Sequence, residues 1–346
     1  MIITSAEQMR NLTGSYYANN DFEKIKSTLQ AVEDEMTDII GREMMAQLEI
    51  ESKGEEGRMA IVTDDDEKMY VGSQEIIIEG DTVRISGYSA YGLLFRVEGD
   101  TLRVSNARAV RSCQQAVAYM ATMRFYRLND ISHENAGRKV KIDKENEARP
   151  FEWQLARDDR AHLEEYYRAL DRLIDALVED PRFRLTATWK RQQALIVKDA
   201  DSLNYLTGVD PSPWLYLRMV PFLAESQRFV QKAFGEGFGD ITSAGDDLQH
   251  AAQMAVALGA IALMGRRSSL QTLPYGLMKI FENDGGGNRR EAAAIDRLDD
   301  YLKHLSKEQH YWLNEMKQLR DEAAGVEKAS HLQMPENDRQ NKYMRL

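Results

Sequence analysis

The chain has 346 residues, of which 43% are hydrophobic and 29% charged, an ordinary balance for a soluble globular protein with two or three domains. Its single cysteine, Cys113, excludes an intramolecular disulfide, and no apolar run reaches the length that a bilayer requires. The net charge of −11 lies entirely in residues 1–105, where 10 Lys and Arg face 21 Asp and Glu, so sequence-specific DNA binding through that part is not expected.

A first helical unit is predicted over residues 1–180. Its first helix begins after the N-cap residue Asp21 and ends at Gly41, because apolar residues recur between them at helical spacing. Two further helices, separated by a polar loop from Asn129 to Pro150, are predicted over residues 107–128 and 155–178.

A small β meander is predicted inside this unit, over residues 58–105. Here the hydrophobic period changes from helical to alternating, which is typical of short strands. The tetrapeptide Glu-Gly-Asp-Thr occurs twice, at residues 79–82 and 98–101. Gly followed by Asp suits a two-residue hairpin turn that needs a positive φ at its first position. We therefore interpret the meander as an antiparallel insertion.

The rest of the chain is predicted to contain a linker, a second helical unit and a tail. The linker covers residues 181–213 and closes on two prolines. The second unit covers residues 214–322 and contains three helices, which are predicted at 215–235, at 246–266 and from 289 to about 322. Residues 323–346 are polar and are predicted to be extended or disordered, and to order on a partner.

Segments of the first unit return in the same order in the second, which indicates an internal duplication. Cys113–Ala118 returns 139 residues later at Ala252–Ala257, and the same offset pairs Gly137 with Gly276. Two more pairs match at other offsets, which are Ile39-Ile40-Gly41 with Ala233-Phe234-Gly235 and residues 169–177 with 294–302. Chance is the alternative, because Ala, Leu and Asp are common on helices. The predicted fold class is mainly α with a small antiparallel β insertion, built from two tandem three-helix units.

No stretch carries a catalytic, cofactor or metal pattern in its required context. The glycines of residues 235–239 follow a helix rather than a strand, which excludes a dinucleotide loop. The six histidines show no metal-ligand spacing. We therefore expect neither an enzyme nor a bound cofactor.

Paired carboxylates on the third helix of each unit form the best candidate site. Each pair is spaced by four residues, so that it lies on one helix face beside an arginine. These residues are Asp171, Arg172, Asp175, Asp296, Arg297 and Asp300. A di-metal site would need a Glu-x-x-His element, which is missing here. A salt-bridge face, solvated or between subunits, is the preferred interpretation.

The order of helix with glycine, Ala-rich helix, loop with glycine, and helix with Leu-Asp-Arg-Leu at 170–173 resembles the head–tail connector (adaptor) proteins of tailed phages and prophages. The resemblance covers roughly residues 20–320. A longer, duplicated form from phages of gut bacteria is similar over the whole chain and ends in a polar tail like residues 336–341. The β insertion and the duplication depart from the single-copy adaptor, which leaves the ring size open.

The resemblance implies a structural virion protein that is assembled in the host cytoplasm and forms a ring between portal and tail. Its partners would be other copies of itself, a portal protein and a tail or second connector protein, with DNA passing through the lumen and no membrane. Asn337, Arg339 and Tyr343 of the tail are further candidate interface residues. The alternatives are a cytoplasmic helical scaffold or binding module, and an enzyme with a site shared between the two copies.

Overall fold

The protein was examined as a computed structural model. The structure describes residues 1–16, 21–64, 68–71, 74–79, 82–86, 93–129, 132–134, 137–139, 151–208, 212–235, 238–243, 245–268, 270–273, 276–279 and 295–323. It divides into a first unit, Met1–Val220 with Gln271–Ile295, and a second unit, Pro221–Leu270 with Asp296–Leu346. The predicted fold class, mainly α with a small antiparallel β region, is confirmed.

Eleven helices lie in the described ranges. They are α1 Ala6–Thr13, α2 Phe22–Ile40, α3 Arg42–Ser52, α4 Ala107–Asn129, α5 Glu152–Val178, α6 Pro181–Arg184, α7 Ala187–Gln193, α8 Ala200–Thr207, α9 Pro213–Phe234, α10 Asp246–Ser268 and α11 Ile295–Ala323. A 3-10 helix covers Phe238–Ser243. Helix α9 crosses the division between the two units at Val220.

Eleven strands accompany them in the same ranges. They are β1 Gly57–Ala60, β2 Val62–Thr63, β3 Met69–Val71, β4 Gln74–Glu79, β5 Thr82–Ile85, β6 Leu93–Glu98, β7 Thr101–Asn106, β8 Ser132–Glu134, β9 Gly137–Lys139, β10 Leu270–Leu273 and β11 Gly276–Lys279. The last four form two hairpins, β8–β9 and β10–β11.

The bounds of α2 follow from its end residues. The Asp21 carboxylate accepts a hydrogen bond from the Glu23 N–H at 3.1 Å and so caps the start. At the other end Gly41 has φ 91°, a conformation that glycine adopts at little steric cost. Its N–H still donates to the Thr37 carbonyl at 2.9 Å. The chain therefore leaves the helix at Gly41 and begins α3 at the next residue, as the sequence predicts.

Strands β1 to β7 form the predicted insertion, which we call the β module (residues 57–106). Its two antiparallel sheets have the orders β1-β7-β6 and β2-β3-β4-β5. A single residue, Ile61, separates β1 from β2, so one bent segment serves both sheets. Side chains from both sheets meet in one core: Met59, Ile61, Val71, Ile76, Ile85, Leu93, Leu102 and Val104.

The repeated tetrapeptide forms hairpin turns, as predicted. Glu98 pairs with Thr101 across β6 and β7, and Gly99 between them has φ 57°. In the other copy Glu79 pairs with Thr82, which leaves two residues for the turn. Gly80 and Asp81 themselves lie outside the described residues.

The helices of the first unit surround a separate core. Small residues on α4, such as Ala109, Cys113 and Ala116, are fully buried and allow α2, α3 and α5 to approach it closely. Burial raises the pKa of the Cys113 thiol, whose sulfur lies 3.9 Å from that of Met45. A buried thiol of this kind is a small apolar residue rather than a nucleophile.

One buried polar group in this core offers a stability test. The Thr122 hydroxyl on α4 is buried and has no hydrogen-bond partner among the described residues. We expect Thr122→Val to raise the free energy of unfolding by about 0.5–1 kcal/mol, because an isosteric apolar side chain removes a desolvation cost. Urea denaturation measures the change. Thr37→Val is the control, because the Thr37 hydroxyl donates to the Glu33 carbonyl at 2.9 Å and its loss should not stabilise the protein.

Several segments differ from the sequence predictions. Residues 1–16, predicted as an unstructured lead-in, contain α1 and bury Ile2, Ile3 and Met9. The predicted loop between Asn129 and Pro150 contains the short hairpin β8–β9. The predicted linker contains three helices, α6 to α8, and Phe183 on α6 belongs to the helical core. Short helices and two-residue turns have too few residues for hydrophobic periodicity to reveal them.

Two of the three paired segments occupy matching structural positions. Helices α4 and α10 each have 23 residues and begin 139 residues apart, and Gly137 and Gly276 open the second strands of the two hairpins. Helices α2 and α9 both end before a glycine of positive φ, with Gly41 at 91° and Gly235 at 87°. The β module and α3 thus stand where the second unit has its 3-10 helix.

The third pairing is not reproduced. Helices α5 and α11 begin at residues 152 and 295, which gives an offset of 143 rather than 125. Asp171 is consequently the twentieth residue of α5, whereas Asp296 is the second residue of α11. At the offset of 143, buried Leu170 and Leu173 match buried Leu313 and Met316. The Leu-Asp-Arg-Leu match therefore reflects common helix residues rather than equivalent positions.

Candidate interaction surfaces

The predicted interface residues on α5 are partly engaged within the first unit. The Asp171 carboxylate accepts a hydrogen bond from the Trp214 N–H at 3.0 Å and so satisfies one of the free donors at the start of α9. The Arg172 guanidinium donates to the Gln115 side-chain oxygen on α4 at 3.3 Å. Asp171 thus positions α9, and Arg172 ties α5 to α4.

Asp175 lines an acidic cleft that the sequence did not reveal. The cleft has a volume of about 250 Å³ and also contains Glu179, Asp199 and Asp201. Burial raises the pKa of Asp175, and the Asp171 carboxylate adds to the rise. No group of three His, Cys, Asp or Glu among the described residues has the geometry to hold a metal ion. The cleft is a negatively charged surface within the first unit.

The raised pKa of Asp175 predicts a pH-dependent effect. The folded state binds this proton more tightly than the unfolded state does, so the contribution of Asp175 to stability falls as pH rises above its unfolded value of 3.8. We expect Asp175→Asn to stabilise the protein by about 0.5 kcal/mol at pH 7, after allowance for solvent screening, and not at pH 3. Thermal denaturation at both pH values measures this, and equal shifts at the two pH values would contradict it.

The other predicted interface residues are exposed or lie outside the described parts. Asp300 on α11 is exposed and lies 3.5 Å from the Lys303 amine. Asp296 and Arg297 fall in the first turn of α11, and their side chains are outside the described residues. Asn337, Arg339 and Tyr343 lie in the tail, also outside them. The structure therefore brings Asp171 and Asp175 together on α5 and places Asp300 on a separate helix.

A serine and a histidine that are distant in sequence meet at α5. The Ser15 hydroxyl lies 2.9 Å from Nε2 of buried His162, and Nδ1 lies 3.0 Å from the Asp158 carbonyl oxygen. The Asp158 carboxylate is farther, at 3.6 Å from Nδ1. Nδ1 therefore donates to the backbone, and Ser15 donates to Nε2. None of the described clefts includes Ser15, so we interpret the contact as a tether for the segment after α1.

Four buried polar residues meet where the β module joins the helices, and we call them the Arg182 cluster (Glu51, Asn106, Asp180 and Arg182). Arg182 donates from Nε and Nη2 to the Asp180 carboxylate at 2.9 and 2.6 Å, and from Nη1 to Glu51. Asn106 donates from its backbone N–H to Glu51 at 2.6 Å and from its amide to Asp180 at 3.0 Å. Burial raises the pKa of Glu51, although Arg182 opposes the rise.

Apolar side chains are exposed at one end of the first unit. Leu128 near the end of α4 is 66% exposed, and Phe151 and Trp153 at the start of α5 are 67% and 51% exposed. The Arg127–Asp159 ion pair, at 2.7 Å, places these helix ends side by side. Exposed large apolar side chains that cluster in this way mark a surface suited to a protein contact.

The expectation that no apolar run could span a bilayer does not hold for α10. By length and composition alone, its residues 246–267 pass the criteria for a membrane span, with a mean hydropathy of 1.3. Half of that window is buried in the structure, and the core helix of a globular unit has the same composition. Within the second unit, α10 packs against α11 through Leu258, Ala262, Leu302 and Leu305.

No protein-family model, no curated protein and no solved structure matches the chain. The resemblance to connector proteins stays a prediction from the sequence. Contacts, burial and charge of the described residues supply the support for a function.

Proposed function

We propose that the protein is a structural subunit of a virion, a head–tail connector that forms a ring of its own copies between portal and tail. One observation carries the proposal: each half of the chain contains a helix that ends at a positive-φ glycine, a 23-residue helix, a hairpin and a long helix. We attribute this to duplication of one module. A chain that carries a module twice presents similar surfaces in tandem, which suits a closed ring.

The side-chain contacts of the two modules support this attribution. In the first unit Arg124 of α4 makes two hydrogen bonds, at 2.6 and 2.8 Å, to Glu35 of α2. In the second unit Arg267 of α10 makes the same pair of bonds, at 2.6 and 2.8 Å, to Glu225 of α9. Both join the first helix of the module to the second. Such exposed pairs contribute little stability, about 0–1 kcal/mol, so their recurrence is a sign of common geometry.

The charge distribution fits a protein that passes DNA without holding it. Residues 1–105 carry the whole net charge of −11, and the acidic cleft adds carboxylates from α5 and α8. Negative surfaces repel phosphates, so DNA in a lumen would not adhere to them. Subunit contacts would come from helix faces and from the exposed apolar residues at the α4–α5 end.

A binding experiment with paired variants tests the proposal. The purified chain is mixed with portal rings and sedimented, and bound protein is measured as a function of concentration. We expect Phe151→Ser with Trp153→Ser to weaken ring formation or portal binding at least about tenfold, because buried aromatic residues dominate such contacts. Tyr205→Ser is the control, since Tyr205 is 86% exposed on α8, away from that end.

The alternative is a cytoplasmic helical scaffold or binding module without catalytic activity. A chain that neither self-associates nor binds portal rings, with the variants indistinguishable from the parent protein, would favour this alternative. The acidic cleft would then be the first place to look for a basic partner.

A further inference from the structure

The β module and the surrounding helices have separate hydrophobic cores. Among the described residues, no buried side chain belongs to both cores. A cavity of about 290 Å³ lies where they meet, lined in part by Met44, Met59, Val71 and Leu185. Well-packed interiors contain few voids larger than a water molecule. The junction between the β module and the helices is therefore loosely packed.

Polar contacts hold this junction instead. The chain passes between helices and β module twice, near Gly57 and at Asn106. A Cβ on Gly57 would lie 1.9 Å from Nη1 of Arg182, so β1 starts directly against that guanidinium. The Asn106 N–H donates to Glu51, and the Asn106 side chain also caps α4 through the Ala109 N–H at 3.0 Å. Both chain crossings thus converge on the Arg182 cluster.

The Arg182 cluster is a costly way to hold two bodies together. It buries two carboxylates and one guanidinium, and buried ion pairs of this kind contribute less stability than packed apolar side chains of similar volume. Removal of one partner leaves the others buried and unpaired, which is strongly unfavourable. In water those groups would be solvated again. Separation of the β module from the helices therefore relieves a variant of the penalty that it suffers when docked.

We infer that the β module is a separately folded body, docked onto the helices through the Arg182 cluster, and that it undocks as a folded unit. Segment 53–56 and the Asn106–Ala107 junction are the hinges. Interfaces between bodies that are small and polar permit such relative motion. The inference holds whether the chain is a connector or a scaffold, since it concerns one unit of the chain.

Hydrogen exchange of the full-length protein, measured amide by amide, tests this inference. The reporter amides are those that bond across the junction, the Asn106 N–H to Glu51 and the Arg58 N–H to the Gln47 side chain at 3.4 Å. The internal amides are those of Met59 and Leu102, which pair inside the β module. In Arg182→Met we expect the reporter amides to exchange about 100-fold faster, because a buried partner has been lost. The internal amides should stay within about threefold of the parent protein.

Two outcomes would overturn the inference. One is equal acceleration of reporter and internal amides, which means that the β module unfolds rather than undocks. The other is unchanged reporter amides. If Arg182→Met does not fold, Glu51→Gln supplies the same readout with an expected acceleration of about tenfold, because glutamine keeps a hydrogen-bond acceptor while it removes the charge. Arg191→Met, on the exposed side of α7, is the matched control and should leave both sets of amides unchanged.

Discussion

Phe183→Ala is expected to lower the free energy of unfolding by about 3–5 kcal/mol, the usual cost of removing a buried aromatic ring. Phe183 lies on α6 and is 1% exposed, the largest fully buried side chain among the described residues. Its ring meets Trp189 edge to face, with 6.2 Å between centroids. The substitution would leave a cavity in the helical core of the first unit. Urea denaturation followed by circular dichroism measures the loss.

The matched control for this substitution is Leu185→Ala. Leu185 lies two residues later and is 48% exposed, so its truncation should cost less than about 1 kcal/mol. A small effect of Phe183→Ala, similar to that of Leu185→Ala, would mean that residues 181–208 are a linker, as the sequence predicted. A large difference would establish this segment as a packed part of the first unit.

Gly259→Ala is expected to lower the free energy of unfolding by about 2–4 kcal/mol, from overpacking and a lost hydrogen bond. An added Cβ would lie 2.1 Å from Nε2 of Gln309 and 2.3 Å from the hydroxyl of buried Ser226. Gln309 on α11 donates to the Ala255 carbonyl at 3.1 Å and to Ser226 at 3.4 Å. It thus joins the three helices of the second unit, and Gly259 leaves the space that this requires.

A double-mutant cycle isolates the cause of this loss. Gln309→Ala removes the side chain that the new methyl group meets, so the double variant Gly259→Ala with Gln309→Ala should be less destabilised than the sum of the two single variants. Gly239→Ala is the control, since nothing lies within 4 Å of its Cβ position. Strict additivity would contradict the contact between Gly259 and Gln309. Chemical denaturation of all four proteins gives the coupling energy.

The sequence predicted the long elements because their signals are local. Asp21 and Gly41 mark the two ends of α2 through capping chemistry that depends on a few neighbouring residues. The Gly-Asp turn at Gly99 likewise needs a positive φ that glycine supplies. The 139-residue offset, read from Cys113–Ala118 and its counterpart, also corresponds to the bounds of α4 and α10.

What the sequence missed depends on tertiary contacts. Ser15 and His162 are 147 positions apart, and nothing local signals that they touch. The Arg182 cluster draws on α3, β7, the end of α5 and α6, and a buried arginine cannot be distinguished from an exposed one by its neighbours in the chain. The mistaken third pairing has a related cause, because Leu-Asp patterns recur on any amphipathic helix.

Of the predicted interface residues, Asp171 shows the limit most clearly. Its spacing from Asp175 correctly indicates one helix face, but its partner, the Trp214 N–H, lies 43 positions away at the start of α9. The cleft around Asp175 needs Asp199 and Asp201 from α8, which the sequence placed in a linker. A face can be inferred from periodicity, whereas the element that covers it cannot.

Electron microscopy of the purified full-length protein, over a range of micromolar concentrations, tests the central claim most directly. The account predicts closed rings built from copies of this chain, each copy supplying two similar helical modules around the circumference. Rings should be fewer in the Phe151→Ser, Trp153→Ser variant at the same concentration. Dispersed single chains at every concentration, alone and with portal rings present, would contradict the connector proposal.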